Sequence, residues 1–285
     1  MRILVTGARG MLGRDLQEEA RARGYEVVAA GREDLDITDL GAVRRAVADV
    51  RPACVVNCAA YTDVDGAEAE RDKALAVNAL GVRNLASVCR ERDVELVHFS
   101  TDYVFDGRKE TPYLIFDAPS PLSTYGQSKL YGEEYLKLIA PRYYLIRTSW
   151  LFGTGGKNFV ETVLKLAREK RELRVVDDQR GCPTYTRDLS RVALDLIATH
   201  AYGVYHVTNA GSTTWCGFAR EILRAAGIDV PVRPIKSGEL RRPAPRPANS
   251  ALDPFPLQET LGYLLPPWPD ALRRYLAERE KGASV

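Results

Sequence analysis

A chain of 285 residues, 45% hydrophobic and 27% charged, carries enough apolar side chain for a sizeable core, which excludes a disordered or fibrous protein. Its formal net charge of +2 gives no electrostatic case for a nucleic-acid or membrane-surface partner, and no apolar run is long enough to span a bilayer. Five cysteines, an odd number without a CxxC pair, and three scattered histidines argue against both a disulfide framework and a zinc site.

Arg2–Thr6 reads as a short strand stopped at Gly7; it has neither the h-region nor the cleavage site of a signal peptide, so a cytoplasmic location is expected. Further strand-length runs follow at Glu26–Ala30 and at residues 53–59, 95–100 and 143–149. Amphipathic helical patterns alternate with them at residues 12–23 (ended by Gly24), Leu40–Val50, 67–92 and 125–140. Such alternation predicts an α/β fold, a Rossmann-type doubly wound parallel sheet with helices on both faces. Past Trp150 the pattern loosens: helices are expected at 158–170, Thr186–Thr199 and 214–226, and strands at Leu173–Val176 and 204–208. Proline is frequent between Pro231 and Pro269, which predicts loop-rich structure. Residues 1–150 are therefore expected to bind a dinucleotide, with roughly 186–210 rejoining them. Residues 151–285 are expected to form most of a smaller, interleaved substrate-binding lobe.

The segment Gly7-Ala8-Arg9-Gly10-Met11-Leu12-Gly13 leaves the first strand and opens a helix. Glycine suits a tight turn, a close backbone approach to pyrophosphate, and tight helix–strand packing, while the helix N-terminus offers free N–H groups to phosphate. A plain strand-to-helix turn can also use glycines, but this context is the one a dinucleotide site requires. The second strand ends at Gly31-Arg32 rather than at an acidic residue that would hold a ribose hydroxyl. Arg32, with Arg9 as a weaker candidate, can pair with a 2′-phosphate, so NADPH is expected, with NADH as the alternative. Asp36 and Ile37 are placed near the adenine, and Ala59, Ala60, Tyr61 and Thr62 along the inner half of the cofactor.

Tyr125 and Lys129 stand four residues apart on a predicted helix and so share a face. A nearby ammonium is expected to lower the phenol pKa, letting Tyr125 protonate a carbonyl oxygen while Lys129 holds the nicotinamide ribose. YxxxK alone equally describes a surface tyrosine packed on a lysine stem. Ser100-Thr101-Asp102-Tyr103, at the end of the fourth strand, adds a hydroxyl at Thr101 that can polarise the same oxygen, and Phe99 is counted with the cofactor residues.

In these segments the chain resembles the extended short-chain dehydrogenase/reductase family, and within it the reductases of nucleotide-linked 4-keto-6-deoxy sugars. The likeness runs through residues 55–62, Val64-Asp65, Ala67-Glu68, Ser100 to Gly107, Tyr125 to Leu130, Gly132-Glu133 and Arg147 to Trp150. It continues at Asn158-Phe159-Val160, Asp178-Gln179, Gly181, Pro183-Thr184, Arg246-Pro247 and Ser250. The resemblance implies hydride transfer to a sugar C4 carbonyl, with Tyr125, Lys129 and Thr101 catalytic. It implies that Thr101, Asp102, Trp150, Asn158 and Arg246 meet the substrate. It also suggests a homodimer, which some relatives close with Mg²⁺ on acidic side chains; Asp15 stands in for a longer Glu there, without a full ligand set, so no metal is expected. Nucleotide-sugar 4,6-dehydratases carry Glu where this chain has Tyr103, which disfavours dehydration. A reductase or 4-epimerase of another nucleotide sugar, or a non-catalytic dinucleotide-binding subunit, remains as the alternative.

Overall fold

The computed structural model describes residues 1–283. Its first half runs β1 (Arg2–Thr6), α1 (Met11–Ala22), β2 (Glu26–Ala30), α2 (Leu40–Val50), β3 (Cys54–Asn57), α3 (Gly66–Ala69), α4 (Arg71–Leu75), α5 (Val82–Arg92), β4 (Glu95–Thr101), α6 (Thr124–Ile139) and β5 (Tyr143–Thr148). The second half runs β6 (Leu151–Phe152), α7 (Phe159–Glu169), β7 (Leu173–Val176), β8 (Arg180–Gly181), β9 (Thr184–Tyr185), α8 (Thr186–Thr199), β10 (Gly203–His206), β11 (Thr213–Thr214), α9 (Trp215–Ala225), β12 (Val232–Ile235), α10 (Leu257–Leu261) and α11 (Trp268–Ala283).

Strand order in the six-stranded sheet is β10-β5-β4-β3-β1-β2, every neighbouring pair parallel. The order reverses between β1 and β3, so a crevice opens there at the carboxyl ends of the strands. Alternate side chains of each strand feed opposite layers. Ile3 and Val5 join Val56 and Val97 under Leu12 and Leu16 of α1 and Leu189 and Leu196 of α8. Leu4 joins Val55, Leu96 and Leu145 against Val43 of α2, Leu85 of α5 and Leu136 of α6. Burying each such side chain contributes roughly 1.5–3 kcal/mol, and this two-sided packing is why β4 is buried along its whole length.

The lobe has its own core, in which Phe152, Val160, Leu164, Phe218, Ile222, Leu272 and Tyr275 pack together. Three two-stranded pairs brace it, β6 with β9, β7 with β12 and β8 with β11. Between β9 and β11 the chain returns to the sheet to add α8 and β10.

Two departures from the sequence reading have physical causes. The single helical pattern expected over 67–92 is broken at Glu70 and again by a π-helical turn, Ala76–Gly81. Within that turn, Asn78 exchanges hydrogen bonds with the Tyr61 backbone in both directions and donates to Ser128 Oγ at 3.0 Å. The Asn78 carbonyl faces Gly132 so closely that a β-carbon there would stand 2.2 Å from it, so α6 lies tight against the widened turn. The second departure is α11, which begins amid Pro266, Pro267 and Pro269; proline is tolerated in a first helical turn, so the cluster marks a helix start as well as a loop.

Candidate active site

The glycine turn is built by exclusion of side chains. Gly7 adopts φ +63°, and a β-carbon on it would lie 2.5 Å from the Ala59 nitrogen; one on Gly13 would lie 2.5 Å from the Gly7 carbonyl oxygen. No side chain caps α1 at Gly10, so the first-turn N–H groups and the positive end of the helix dipole face the crevice. A cleft of about 600 Å³ opens there. It is lined by Gly7, Gly10, Met11, Leu12 and Gly13 from the turn, by Gly31, Arg32, Asp36 and Ile37 beyond β2, and by Ala59, Ala60, Tyr61 and Thr62 beyond β3. Phe99, Tyr125 and Lys129 close its inner end. Thr148, at the tip of β5, also lines the cleft, and its buried hydroxyl has no partner within the protein, as a group awaiting a ligand would. The cleft therefore fits a dinucleotide in shape and in donor chemistry. Lys73 and Lys157, which the sequence reading did not single out, add cationic side chains to its rim.

Arg32 lies on the cleft with its charge felt by Asp36. Arg9 is already engaged, donating to Glu33 at 2.8 Å and approaching Asp34 at 3.5 Å, so of the two arginines Arg32 is the free one.

The helix carrying the catalytic candidates is fixed at its start and at its middle. Ser123 caps α6 through Gly126 N–H, and Glu68 accepts from both the backbone and the hydroxyl of Thr124 at 2.8 Å. One turn beyond Lys129, the buried Glu133 forms a bidentate pair with Arg147 of β5 and accepts from Ser100 Oγ at 2.6 Å. Lys129 is buried, and its Nζ donates to the Phe99 carbonyl at 2.6 Å. Burial pushes Lys129 down to about 8 against the opposing pull of Glu133.

The expected lowering of the Tyr125 pKa is not what this environment produces. Burial pushes the phenol up to about 12, outweighing a hydrogen bond with Thr101, and Asp102 adds to the rise. Lys129 spends its short hydrogen bond on Phe99 instead. Tyr125 is accordingly a protonated acid at neutral pH, the form a carbonyl reduction needs. Its ring meets Tyr103 edge-on, with centroids 6.0 Å apart.

Thr101 Oγ accepts from Tyr103 N–H and donates to Asp102, which also receives the Ser250 hydroxyl at 2.5 Å. Trp150 sits at φ +48° and stacks on Trp215, ring centroids 3.5 Å apart and 7° from parallel. Gly181 underlies it, where a β-carbon would stand 2.4 Å from the indole. Trp215, which also donates to Gln179, escaped the sequence reading.

Two residues expected to meet the substrate are committed elsewhere. Asn158 caps α7 by accepting from Glu161 N–H, while its amide group donates to the Gly153 carbonyl at 2.9 Å. Arg246 is clamped bidentately by Asp65, 3.0 and 2.8 Å, and also donates to the Ala244 carbonyl. The first serves as a helix cap and the second ties the proline-rich loop to the cofactor half, so each has a structural duty within the fold. Asp15 is buried and accepts from Thr186; among the described residues no cluster of three His, Cys, Asp or Glu could hold a metal ion.

A family model described as the RmlD substrate binding domain matches residues 1–281. A dTDP-4-dehydrorhamnose reductase of Streptomyces griseus is 48% identical over 259 residues, 88% of this chain and 85% of that one. A dTDP-4-keto-6-deoxy-D-glucose reductase of Streptomyces niveus is 46% identical over 247 residues, covering 84% and 86%. The crystal structure of a dTDP-4-dehydrorhamnose reductase from Bacillus anthracis in complex with NADP superposes with a TM-score of 0.95 at 41% identity, covering 97% of this chain and 99% of that one. Matched along nearly its whole length, the chain belongs to the RmlD substrate-binding-domain family.

Proposed function

We propose that this chain reduces the C4 carbonyl of dTDP-4-dehydro-β-L-rhamnose to dTDP-β-L-rhamnose with NADPH. The observation that carries the reading is the half-buried, protonated Tyr125 hydrogen-bonded to Thr101 at the inner end of the dinucleotide cleft. NADPH supplies the hydride when bound. The first-turn N–H groups of α1 receive its pyrophosphate, and Arg32 pairs with the 2′-phosphate. Tyr125 gives its phenolic proton to the carbonyl oxygen, and the Thr101 hydroxyl, turned from Asp102, steadies that oxygen as charge develops. Lys129 holds the ribose next to the nicotinamide. Asp102 and the Trp150–Trp215 stack bound the sugar side.

Tyr103 stands where a dehydratase would need an acid, and burial raises its phenol pKa further, so it stays out of proton exchange. That Thr101, Tyr125 and Lys129 are all present and Tyr125 meets both Thr101 and the cleft favours catalysis over a non-catalytic subunit. A second substrate, dTDP-4-keto-6-deoxy-D-glucose, is kept in view by the Streptomyces niveus relative. A homodimer and a cytoplasmic setting complete the proposal. Tyr131 and Leu138, one heptad apart on α6 and exposed, supply an apolar strip for a second copy, and a sedimentation measurement returning the monomer mass would remove the dimer.

The deciding experiment feeds dTDP-4-keto-6-deoxyglucose to the protein and follows NADPH by its absorbance. Consumption only when a 3,5-epimerase is added supports the rhamnose reading. Consumption without it transfers the activity to the unepimerised sugar, and none in either case overturns both.

A further inference from the structure

A line of buried polar groups crosses the strand ends beneath the cleft, and its hydrogen bonds have only one consistent direction. Ala59 N–H donates to Asn57 Oδ1 at 3.1 Å, and Thr6 Oγ1 donates to the same oxygen at 2.7 Å. A backbone N–H can only donate, so the atom it meets must be the amide oxygen. The other arm of Asn57, Nδ2, then lies 3.0 Å from His98 Nδ1. An amide NH2 donates and cannot accept, so Nδ1 carries no proton. His98 is fully buried, and that burial, with the charge of Lys129, holds it well below the ordinary imidazole range. A neutral imidazole unprotonated at Nδ1 is protonated at Nε2, and Nε2 lies 3.4 Å from Lys129 Nζ.

That contact sets a donor against a donor whenever Lys129 is an ammonium. It becomes an N–H···N hydrogen bond only when Nζ has a free lone pair. We propose that His98, its tautomer fixed by Asn57, is a positioning residue that favours the neutral amine of Lys129 and so sets the acidity of the lysine beside Tyr125. The other groups around Lys129 do not duplicate this. Phe99 of β4 presents a carbonyl, which prefers the ammonium. Glu133, one turn along α6, also prefers it, though its charge is shared with Arg147 of β5. Tyr125, one turn before, is neutral, and Asn78 of the π-helical turn is spent on Tyr61 and Ser128. Among the described residues, His98 is thus the one polar neighbour that opposes the charge by direction rather than by dryness. Its importance for turnover rests on the proposed reductase role of Lys129; the tautomer itself does not.

The first test is on the wild-type protein and needs no activity. With only three histidines in the chain, long-range ¹H–¹⁵N spectra resolve each ring, and the His98 signals are assigned by their loss in His98→Leu. A neutral, Nε2-protonated ring is expected from acid to alkaline pH; an Nδ1-protonated or charged ring overturns the proposal. The second test is Asn57→Asp, in which one carboxylate oxygen keeps Ala59 N–H and Thr6 while the other faces Nδ1 as an acceptor. The imidazole proton then moves to Nδ1, and Nε2 accepts from Lys129. The alkaline limb of kcat should rise by about one pH unit, the size expected when a facing donor becomes an acceptor. If turnover is absent because the reductase reading fails, the same limb is read on NADPH affinity against pH. His98→Leu combined with Asn57→Asp separates the tautomer from the added charge. Measured against His98→Leu alone, the shift should vanish in the double variant, and an equal shift with and without His98 overturns the proposal. If Asn57→Asp does not fold, His98→Leu alone is read: its alkaline limb should rise once the facing donor is gone, and a limb that does not rise overturns the proposal.

Discussion

Glu133 and Arg147 face each other as a bidentate pair, Nη2 to Oε2 at 2.6 Å, with both side chains almost wholly removed from water. The pair joins α6 to β5, while Ser100 on β4 donates into the same carboxylate. Three elements that carry Lys129, Thr148 and Thr101 are thereby held in one register. Arg147 also lies over the Phe105 ring, 5.1 Å from its centroid.

Glu133→Gln should therefore cost far more than a surface change. Removing one partner strands the other charge in the interior, which typically costs about 3–5 kcal/mol. Urea unfolding of the variant should show that loss, and replacing Arg147 by Met in the same chain should recover part of it. A loss under about 1 kcal/mol, as for an exposed ion pair, would show that the pair does not brace the helix.

Tyr125→Phe tests the acid directly. The variant keeps the ring and its edge-on contact with Tyr103 but loses the proton, so the chemical step should fall by about 10²–10⁴-fold. Its NADPH dissociation constant should stay close to that of the wild type. Single-turnover oxidation of NADPH at the wild-type rate would remove Tyr125 from the mechanism.

Much of this arrangement was legible in the sequence because its signals are local. β1, β2 and α2 have the ends expected of them, since Gly7, Gly24 and Asp39 punctuate the chain beside the elements they bound. The glycine turn was legible for the same reason: strand, turn and helix start lie within a dozen or so residues. What escaped depends on contacts between distant segments. The break at Ala76–Gly81 answers to Ser128 and Tyr61, and Trp215 owes its place to stacking on Trp150. The ion pair of Arg246 was not legible either, because Asp65, its partner, is 181 residues away. The Tyr125 pKa went the wrong way for a related reason: burial is a property of the packed fold, whereas the i, i+4 lysine is visible in the text of the chain.

Arg32→Ala should reveal cofactor preference. Arg9 is held by Glu33 and Asp34, so Arg32 is the guanidinium open to a 2′-phosphate. A hydrogen bond to a charged group contributes about 1.5–3 kcal/mol, so NADPH should weaken roughly 10- to 100-fold while NADH changes little. An unchanged ratio of the two dissociation constants would assign the phosphate elsewhere.

Asn158→Ala should separate capping from substrate contact. Losing the acceptor for Glu161 N–H should lower stability by about 1 kcal/mol, seen as an earlier denaturant midpoint. KM for the nucleotide sugar should hold; a KM raised tenfold with stability intact would restore the substrate role.

Asp102 gives the fold a dependence on pH whose sign can be worked out. Burial raises its carboxyl to about 7, against the pull of the Ser250 and Thr101 hydroxyls. Between the ordinary value of 3.8 and about 7, the folded chain keeps a proton that the unfolded chain has already lost. Stability from this group is therefore fully present below the unfolded pKa and declines as pH rises through the folded one. The upper bound on that decline is about 4 kcal/mol, from 1.36 kcal/mol per pKa unit. Asp15, raised by burial to about 6, acts in the same direction. Asp102→Asn has no proton to lose there, and any fixed cost of its amide against the two hydroxyls is independent of pH. The unfolding free energy of wild type minus that of the variant should therefore fall steadily between pH 4 and pH 8. A constant difference across that range would mean that Asp102 is ionised in the folded protein throughout.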